Sequence, residues 1–307
     1  TDELHKEKLY ELGTPQGASE LIDYVVRPRR TYAEVLLDFP SARPPLSYYL
    51  DLIPPLRERY FSIASSPLLH PTHVHICVAV VRYRTMLQTP RFGVCSTYLA
   101  GLQPDVTIAE ATSMDKQNSP HDNTNPSLCV SVWLRRGCLT MPSDVSAPLV
   151  MIGPGTGVAP FRAFTQSRSA QRAATSSATA SCTTAASAAA SAAGSCASIG
   201  DSVLYFGCRG RHIDYLYKGE WDQHMEHGAL QGLHVAFSRE GDQKVYVQHL
   251  MVEAARSLWQ ILSHPSAHVY IAGGTPASPD PCPRSIHQSI NRVCIHPRTH
   301  RSIHQSI

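Results

Sequence analysis

The sequence predicts an α/β plus β chain: an antiparallel barrel with a helical connecting segment, then a doubly wound, mainly parallel sheet. Three observations carry that expectation. After residue 147, short runs rich in β-branched and aromatic side chains (148–152, 203–207, 233–237 and 268–272) alternate with stretches of helical periodicity, the pattern of a parallel sheet covered by helices. Each of those runs passes directly into glycine or polar residues, which in such sheets is where ligands sit. Before residue 147 the strand-like runs are punctuated by Pro, Gly and Asn instead of helices, as in a barrel of short antiparallel strands.

Taken in order, residues 1–55 read as a helical connecting segment. Within it, 18–25 and 31–37 carry apolar residues three to four apart, before a stretch broken by Pro40, Pro44, Pro45, Pro54 and Pro55. Residues 56–146 read as the barrel, with strands expected at 60–64, 74–82 and 129–134. Residues 147–275 read as the α/β domain, where 245–262 is expected to form one helix with Val247, Met251, Ala254, Leu258 and Ile261 on a common face.

Two segments break this pattern. Residues 167–200 are dominated by Ala, Ser and Thr, offer too little apolar surface to offset the entropy of ordering, and are expected to be a mobile insertion. Residues 276–307 are rich in Pro, Arg and His, repeat RSIHQSI and show neither helical nor strand periodicity; they read as a disordered tail. Their histidines match no ligand spacing, and no metal is expected.

Composition narrows the chemistry. The 307 residues hold 43% hydrophobic and 17% charged side chains, a balance that suits about two globular domains of ~100–200 residues. A formal charge of +3, from 27 Lys+Arg against 24 Asp+Glu, is too mild to call for nucleic acid or a membrane surface. The longest apolar run, 76–81, is far below the roughly 20 residues a spanning helix needs, and no signal-peptide pattern is expected at the start. Nine cysteines without a CxxC pair point to reduced thiols rather than to a zinc site or disulfide framework.

Four segments carry candidate chemistry. In GPGTGVAPF, Gly153, Gly155 and Gly157 follow a buried strand and Pro160 opens a helix; such a turn lets backbone approach a pyrophosphate and aims free N–H groups at it. In SREGDQKVYVQ, Ser238, Arg239, Lys244 and Tyr246 gather donors at one strand exit. A ribose phosphate is met by such cations and a diol by a carboxylate, which favours NADP over NAD. Glu240, next in sequence, is an alternative partner for Arg239. In the barrel, RYFSIASS supplies Arg59, Phe61, Ser62 and Ser65, and GVCS supplies Gly93, Val94, Cys95 and Ser96. A cation, a flat ring, hydroxyls and backbone donors together suit a flavin dinucleotide at its ring and its pyrophosphate. Singly, each reads equally well as a strand end.

In order and spacing, these four segments and a fifth, YFGCR with DYLY (205–217), resemble the FAD- and NADPH-binding half of the diflavin reductases, the others being RYFSIAS, GVCS, GPGTGVAPFR (153–162) and SREGDQKVYVQH (238–249). RPRRTYAEVLLDFP (27–40) is most similar to the cytosolic branch that feeds iron–sulfur cluster assembly, and PPLSYYLDLIP (44–54) would also suit the cytochrome P450-reducing branch. The resemblance implies a ferredoxin–NADP reductase-like fold that passes hydride from NADPH to FAD. Electrons would then move to an FMN domain, outside these residues, and to an iron–sulfur acceptor protein of the anamorsin type in the cytoplasm. It implies that Arg59 and Ser96 contact the FAD pyrophosphate, that Phe61 replaces the usual Tyr beside the flavin, and that Ser62 lies near flavin N5. It places Cys208, with Arg209 beside it, at the nicotinamide, Thr156 at the NADPH pyrophosphate, and Ser238, Arg239, Lys244, Tyr246 and Gln248 around the adenosine phosphate. A catalytically inactive remnant of the same fold is the alternative.

Overall fold

The computed structural model describes residues 2–85, 87, 89–102, 130–182 and 199–273. The chain divides into two compact units, Thr1–Tyr60 with Ala79–Val132, and Phe61–Val78 with Trp133–Ile307.

The first unit is mainly helical. Helix α1 (Glu3–Leu12) starts at Asp2, whose carboxylate accepts from Leu4 N–H, satisfying a donor left free by the first turn. Helix α2 (Ala18–Leu21) widens into Ile22–Val26, closed by Arg27 N–H on the Ile22 carbonyl at 2.9 Å. Helix α3 (Tyr32–Asp38) is fixed by a capping box: Glu34 N–H donates to Thr31 Oγ1 and Thr31 N–H to Glu34 Oε2. Helix α4 (Leu46–Leu52) follows Pro45. Strands β1 (Arg82–Tyr83) and β2 (Arg91–Phe92) pair antiparallel, and helix α5 (Val94–Gly101) leaves directly from β2.

The second unit holds a four-stranded parallel sheet, β3 (Leu149–Pro154), β4 (Ser202–Cys208), β5 (Gly232–Phe237) and β6 (His268–Ile271), in spatial order β5-β4-β3-β6. Alternation along β3 decides the layers. Leu149 and Met151 join Phe161, Phe164, Leu204, Phe206 and Trp221 on the face covered by α6 (Ala159–Cys182) and α7 (Lys218–Glu226). Val150 and Ile152 face the other way, against Val247, Met251, Leu258 and Ile261 of α8 (Val247–Glu253) and α9 (Ala255–Leu262). Helices therefore cover both faces, and the expected doubly wound sheet is present. The run 245–262 is two helices rather than one: the chain turns at Ala254, and both segments keep apolar residues on the sheet.

The barrel segment differs more. Among the described residues, 60–64 and 74–82 meet only as one antiparallel bridge, Ile63 to Ile76, and 130–134 forms no strand. A β-branched run becomes a strand only where a partner completes its ladder, and here β1 and β2 alone do so. The insertion expected at 167–200 also needs correction at its start, because α6 continues through to Cys182. Arg168 anchors it: its side chain is fully buried and donates to the carbonyls of Val145 and Ala147. Arg172 adds a bond to the Ile199 carbonyl at 3.1 Å. Polar anchors replace the apolar face whose lack suggested mobility. Residues 183–198 and the repeat-bearing tail lie outside the described residues.

Candidate functional site

Strand order locates the site. The chain runs β3, β4, β5 in one direction and returns to place β6 on the opposite side of β3, so the switch point lies at the carboxyl ends of β3 and β6, where open α/β sheets bind ligands. The glycine turn occupies it. Gly155 has φ +57, a left-handed conformation that glycine adopts without strain. A Cβ on Gly157 would collide with the carbonyl of Ala272 just beyond β6, and one on Gly153 would lie 2.8 Å from the Phe161 ring. Only hydrogen at these positions allows β3, the turn and the end of β6 to close together. Thr156 is exposed at the tip, and Pro160 sits in the first turn of α6, where its missing N–H is not needed.

Beside this turn lie the ends of β4 and β5. Cys208 is buried, and burial, reinforced by Asp214 and Glu240, pushes its thiol up to about 12. It is a neutral S–H near neutral pH and not a thiolate nucleophile. Its carbonyl accepts from Ser238 N–H at 2.9 Å and Ser238 Oγ at 3.2 Å. Arg209 is drawn onto Asp214, which accepts from its N–H at 2.7 Å and its Nε at 2.9 Å, and from Gly210 N–H at 3.1 Å. Three donors hold the Asp214 carboxyl below the usual carboxylate range, against the opposing effect of its burial.

Glu240 does not take Arg239 as its partner. Its carboxylate accepts the Arg211 N–H and lies 4.0 Å from Arg211 Nε, while the Arg211 guanidinium rests over the Phe237 ring at 4.9 Å. Arg239 and Lys244 are exposed and enter no ion pair among the described residues. Tyr246 precedes α8, with its N–H donating to His249 Nδ1 at 3.2 Å, and Gln248 is exposed in the first turn. The cations and phenol predicted at this exit are therefore present and accessible.

The barrel motifs fall in both units. In the first, Arg59 is exposed, with Nη1 donating to the Arg57 carbonyl at 2.6 Å. Gly93 starts α5, where a Cβ would lie 2.7 Å from Ser96 Oγ and 2.8 Å from Val81 Cβ. The Ser96 hydroxyl is buried, accepting from Val81 N–H at 3.0 Å and donating to the Gly93 carbonyl at 3.2 Å. It braces the turn, and the N–H groups of Val94, Cys95 and Ser96 lie in the first turn of α5, where no intrahelical acceptor is available. Arg91 fixes the strand before it by pairing with Glu34 of the α3 capping box at 2.7 Å; Arg91 and the Thr31 donors hold the Glu34 carboxyl down to about 2.

In the second unit Phe61 is half-buried and Ser62 exposed. Ser65 is buried, and its Oγ accepts from His75 N–H at 2.9 Å, so it braces the corner rather than reaching outward.

Sequence reasoning missed the group that seats this corner. Arg162, 7% exposed, donates Nη1 to the Ala64 carbonyl at 2.7 Å and forks onto Glu220, with the Tyr217 ring 4.7 Å from its guanidinium. Gln166 Oε1 accepts from Ser66 N–H at 2.9 Å, and Ser167 Oγ donates to Ser66 Oγ at 2.8 Å. The signal was the arginine closing GPGTGVAPFR. A cation three residues into an apolar helix start has to find a buried acceptor.

Comparison with known proteins agrees with this geometry. Residues 1–98 match the FAD binding domain family, and residues 151–278 match the oxidoreductase NAD-binding domain family. The class defined is a ferredoxin–NADP reductase-like pair of FAD- and NAD(P)-binding domains. The chain is similar to the FAD- and NADPH-binding portion of the diflavin reductases. It is 41% identical over 279 residues to NADPH-dependent diflavin oxidoreductase 1 of Bos taurus, covering 90% of this chain and 39% of that protein. It is 36% identical over 285 residues to the Arabidopsis thaliana protein of the same name, with 91% and 39% covered. NADPH–cytochrome P450 reductase of Drosophila melanogaster is 34% identical over 275 residues, with 89% and 35% covered. The chain thus spans about two fifths of the length of these relatives. Among the described residues no helix is long and apolar enough to cross a membrane.

Proposed function

We propose that the chain binds NADPH on its parallel-sheet domain and FAD through its barrel motifs, as the electron-input portion of a diflavin oxidoreductase. When bound, the two groups supply the redox chemistry, hydride passing from the nicotinamide to the flavin. The side chains bind and orient. Gly153 to Gly157 and the start of α6 receive the NADPH pyrophosphate, Arg239 and Lys244 the adenosine phosphate, and Cys208 borders the nicotinamide with a protonated thiol. Arg59 and the N–H groups of Val94, Cys95 and Ser96 receive the FAD pyrophosphate, with Phe61 and Ser62 at the ring. The observation that carries the reading is the charge arrangement at the end of β5, where Glu240 is tied to Arg211 and two cations are left for a phosphate.

The onward path belongs to the same proposal: an FMN domain, then an iron–sulfur acceptor of the anamorsin type, in the cytoplasm. It is supported by greater identity to diflavin oxidoreductases than to the P450 reductases. The decisive experiment is to reconstitute the purified chain with FAD and add NADPH without oxygen. A yellow protein that bleaches supports the proposal. A chain that takes up no flavin is the inactive remnant.

A further inference from the structure

We propose that Arg211 is a specificity-determining residue, making the pocket at the end of β5 attractive to the 2′-phosphate of NADPH by neutralising Glu240. This rests on the reading of 238–248 as the adenosine-phosphate pocket. The charges within that pocket do not favour an anion unaided. Between Ser238 and Lys244 there are two cations, Arg239 and Lys244, and two anions, Glu240 and Asp242. They sum to zero. The neighbouring strand exit adds Arg209, but Asp214 takes it up at 2.9 Å, and that pair also sums to zero. Arg211 is the remaining charge on the 209–214 loop, and its guanidinium stands 4.0 Å from Glu240.

The placement is held from three sides. β4 and β5 are paired in register up to Cys208 and Phe237, so their exit loops begin next to each other. The Glu240 carboxylate accepts the Arg211 backbone N–H, which keeps it on the β4 loop whatever the side chain at 211. The Phe237 ring lies under the guanidinium at 4.9 Å, which favours keeping this half-exposed cation beside the carboxylate. Without the Arg211 side chain, Glu240 would stay in place as a bare carboxylate adjacent in sequence to Arg239. It would then repel a phosphate dianion and compete for that arginine. A ligand lacking the 2′-phosphate would be indifferent to the change.

Calorimetric titration of the full chain with 2′,5′-ADP and with 5′-AMP separates the possibilities without requiring flavin or turnover. Arg211→Ala is expected to weaken 2′,5′-ADP about fivefold, the scale of a partly exposed charge pair, and to leave 5′-AMP within about twofold. Arg211→Lys should retain most of the affinity, and Glu240→Gln in the Arg211→Ala background should restore it. Unchanged 2′,5′-ADP binding in Arg211→Ala, no recovery in the double variant, or equal losses for both ligands would overturn the proposal. Arg239→Ala serves as the separate control. If it leaves 2′,5′-ADP binding unchanged, the pocket assignment itself is wrong; if it weakens binding while Arg211→Ala does not, only the role of Arg211 falls.

Discussion

Arg162 grips Glu220 with both prongs of its guanidinium, Nε to Oε2 at 2.7 Å and Nη2 to Oε1 at 3.0 Å. The third side of the group faces the Ala64 carbonyl at 2.7 Å and His75 Nδ1 at 3.1 Å. One buried cation thereby joins three pieces distant in sequence: the corner that follows the Phe61–Ser62 motif, the helix that begins at the glycine turn, and α7. A planar fork can do this because each nitrogen has its own acceptor; an ammonium would satisfy fewer.

Replacing Arg162 with Ala should cost about 2–3 kcal/mol, less than a fully enclosed pair would, because the partner carboxylate is partly open to water. Urea denaturation followed by tryptophan fluorescence would measure it. Hydrogen exchange at residues 63–70 should accelerate in the same variant, and Arg162→Lys should recover only a minor part. A midpoint unchanged from the parent chain would show that the fork contributes nothing to stability.

The glycine turn separates two kinds of constraint. At Gly155 no atom lies near a would-be Cβ, so Gly155→Ala meets only left-handed strain, about 1–2 kcal/mol. At Gly157 the same methyl group meets the Ala272 carbonyl and lies 2.8 Å from Gly273 Cα, so β6 would have to move. Gly157→Ala should therefore be the more destabilising, and should weaken NADPH binding more, than Gly155→Ala. Thermal melts and nucleotide titrations of the two variants would check the order, and the reverse order would refute it.

Much of this was legible in the sequence because it is local. The four sheet strands are apolar on both faces, and the turn after the first contains glycines at positions where the structure has a positive φ or a close contact. What could not be read depends on partners far along the chain. Arg168 holds an Ala/Ser-rich helix through carbonyls more than twenty residues earlier. Glu240 passes over its neighbour Arg239 for Arg211, twenty-nine residues away. Ser65 and Ser96 look like ligand hydroxyls but are spent on backbone groups. A strand-like run such as 74–82 cannot announce whether its ladder partners will be there.

Three histidines give the second unit a pH dependence of definite sign. His75, His224 and His234 all lie below the ordinary value of 6.5, burial being the main cause in each. Arg162, His70 and His73 add to it at His75, while Glu220 opposes it. Arg162 and His227 add to it at His224, again against Glu220. Above 6.5 these groups are neutral folded or unfolded and do not alter stability. Below it the unfolded chain takes up protons first, so stability falls as pH drops, and levels off only below the folded values. Urea midpoints should thus be lower at about pH 5.5 than at about pH 7.5, a range in which histidine titration dominates. A flat or rising trend would contradict the assignment.

The charge arrangement at the end of β5 predicts how the nucleotide is chosen. Arg239 and Lys244 are exposed, carry no carboxylate partner among the described residues, and flank the strand exit nearest to Ser238. A 2′-phosphate offers each a charge-assisted bond and a ribose diol offers neither, so Arg239→Ala or Lys244→Ala should each weaken NADPH by about 1.5–3 kcal/mol. NADH should be nearly unaffected. The loss should also shrink as salt is raised, because the cations are open to solvent and screened. Measuring dissociation constants for both nucleotides at two ionic strengths distinguishes this from general damage to the sheet. Equal losses for NADPH and NADH would mean that the two cations shape the fold and do not read the phosphate.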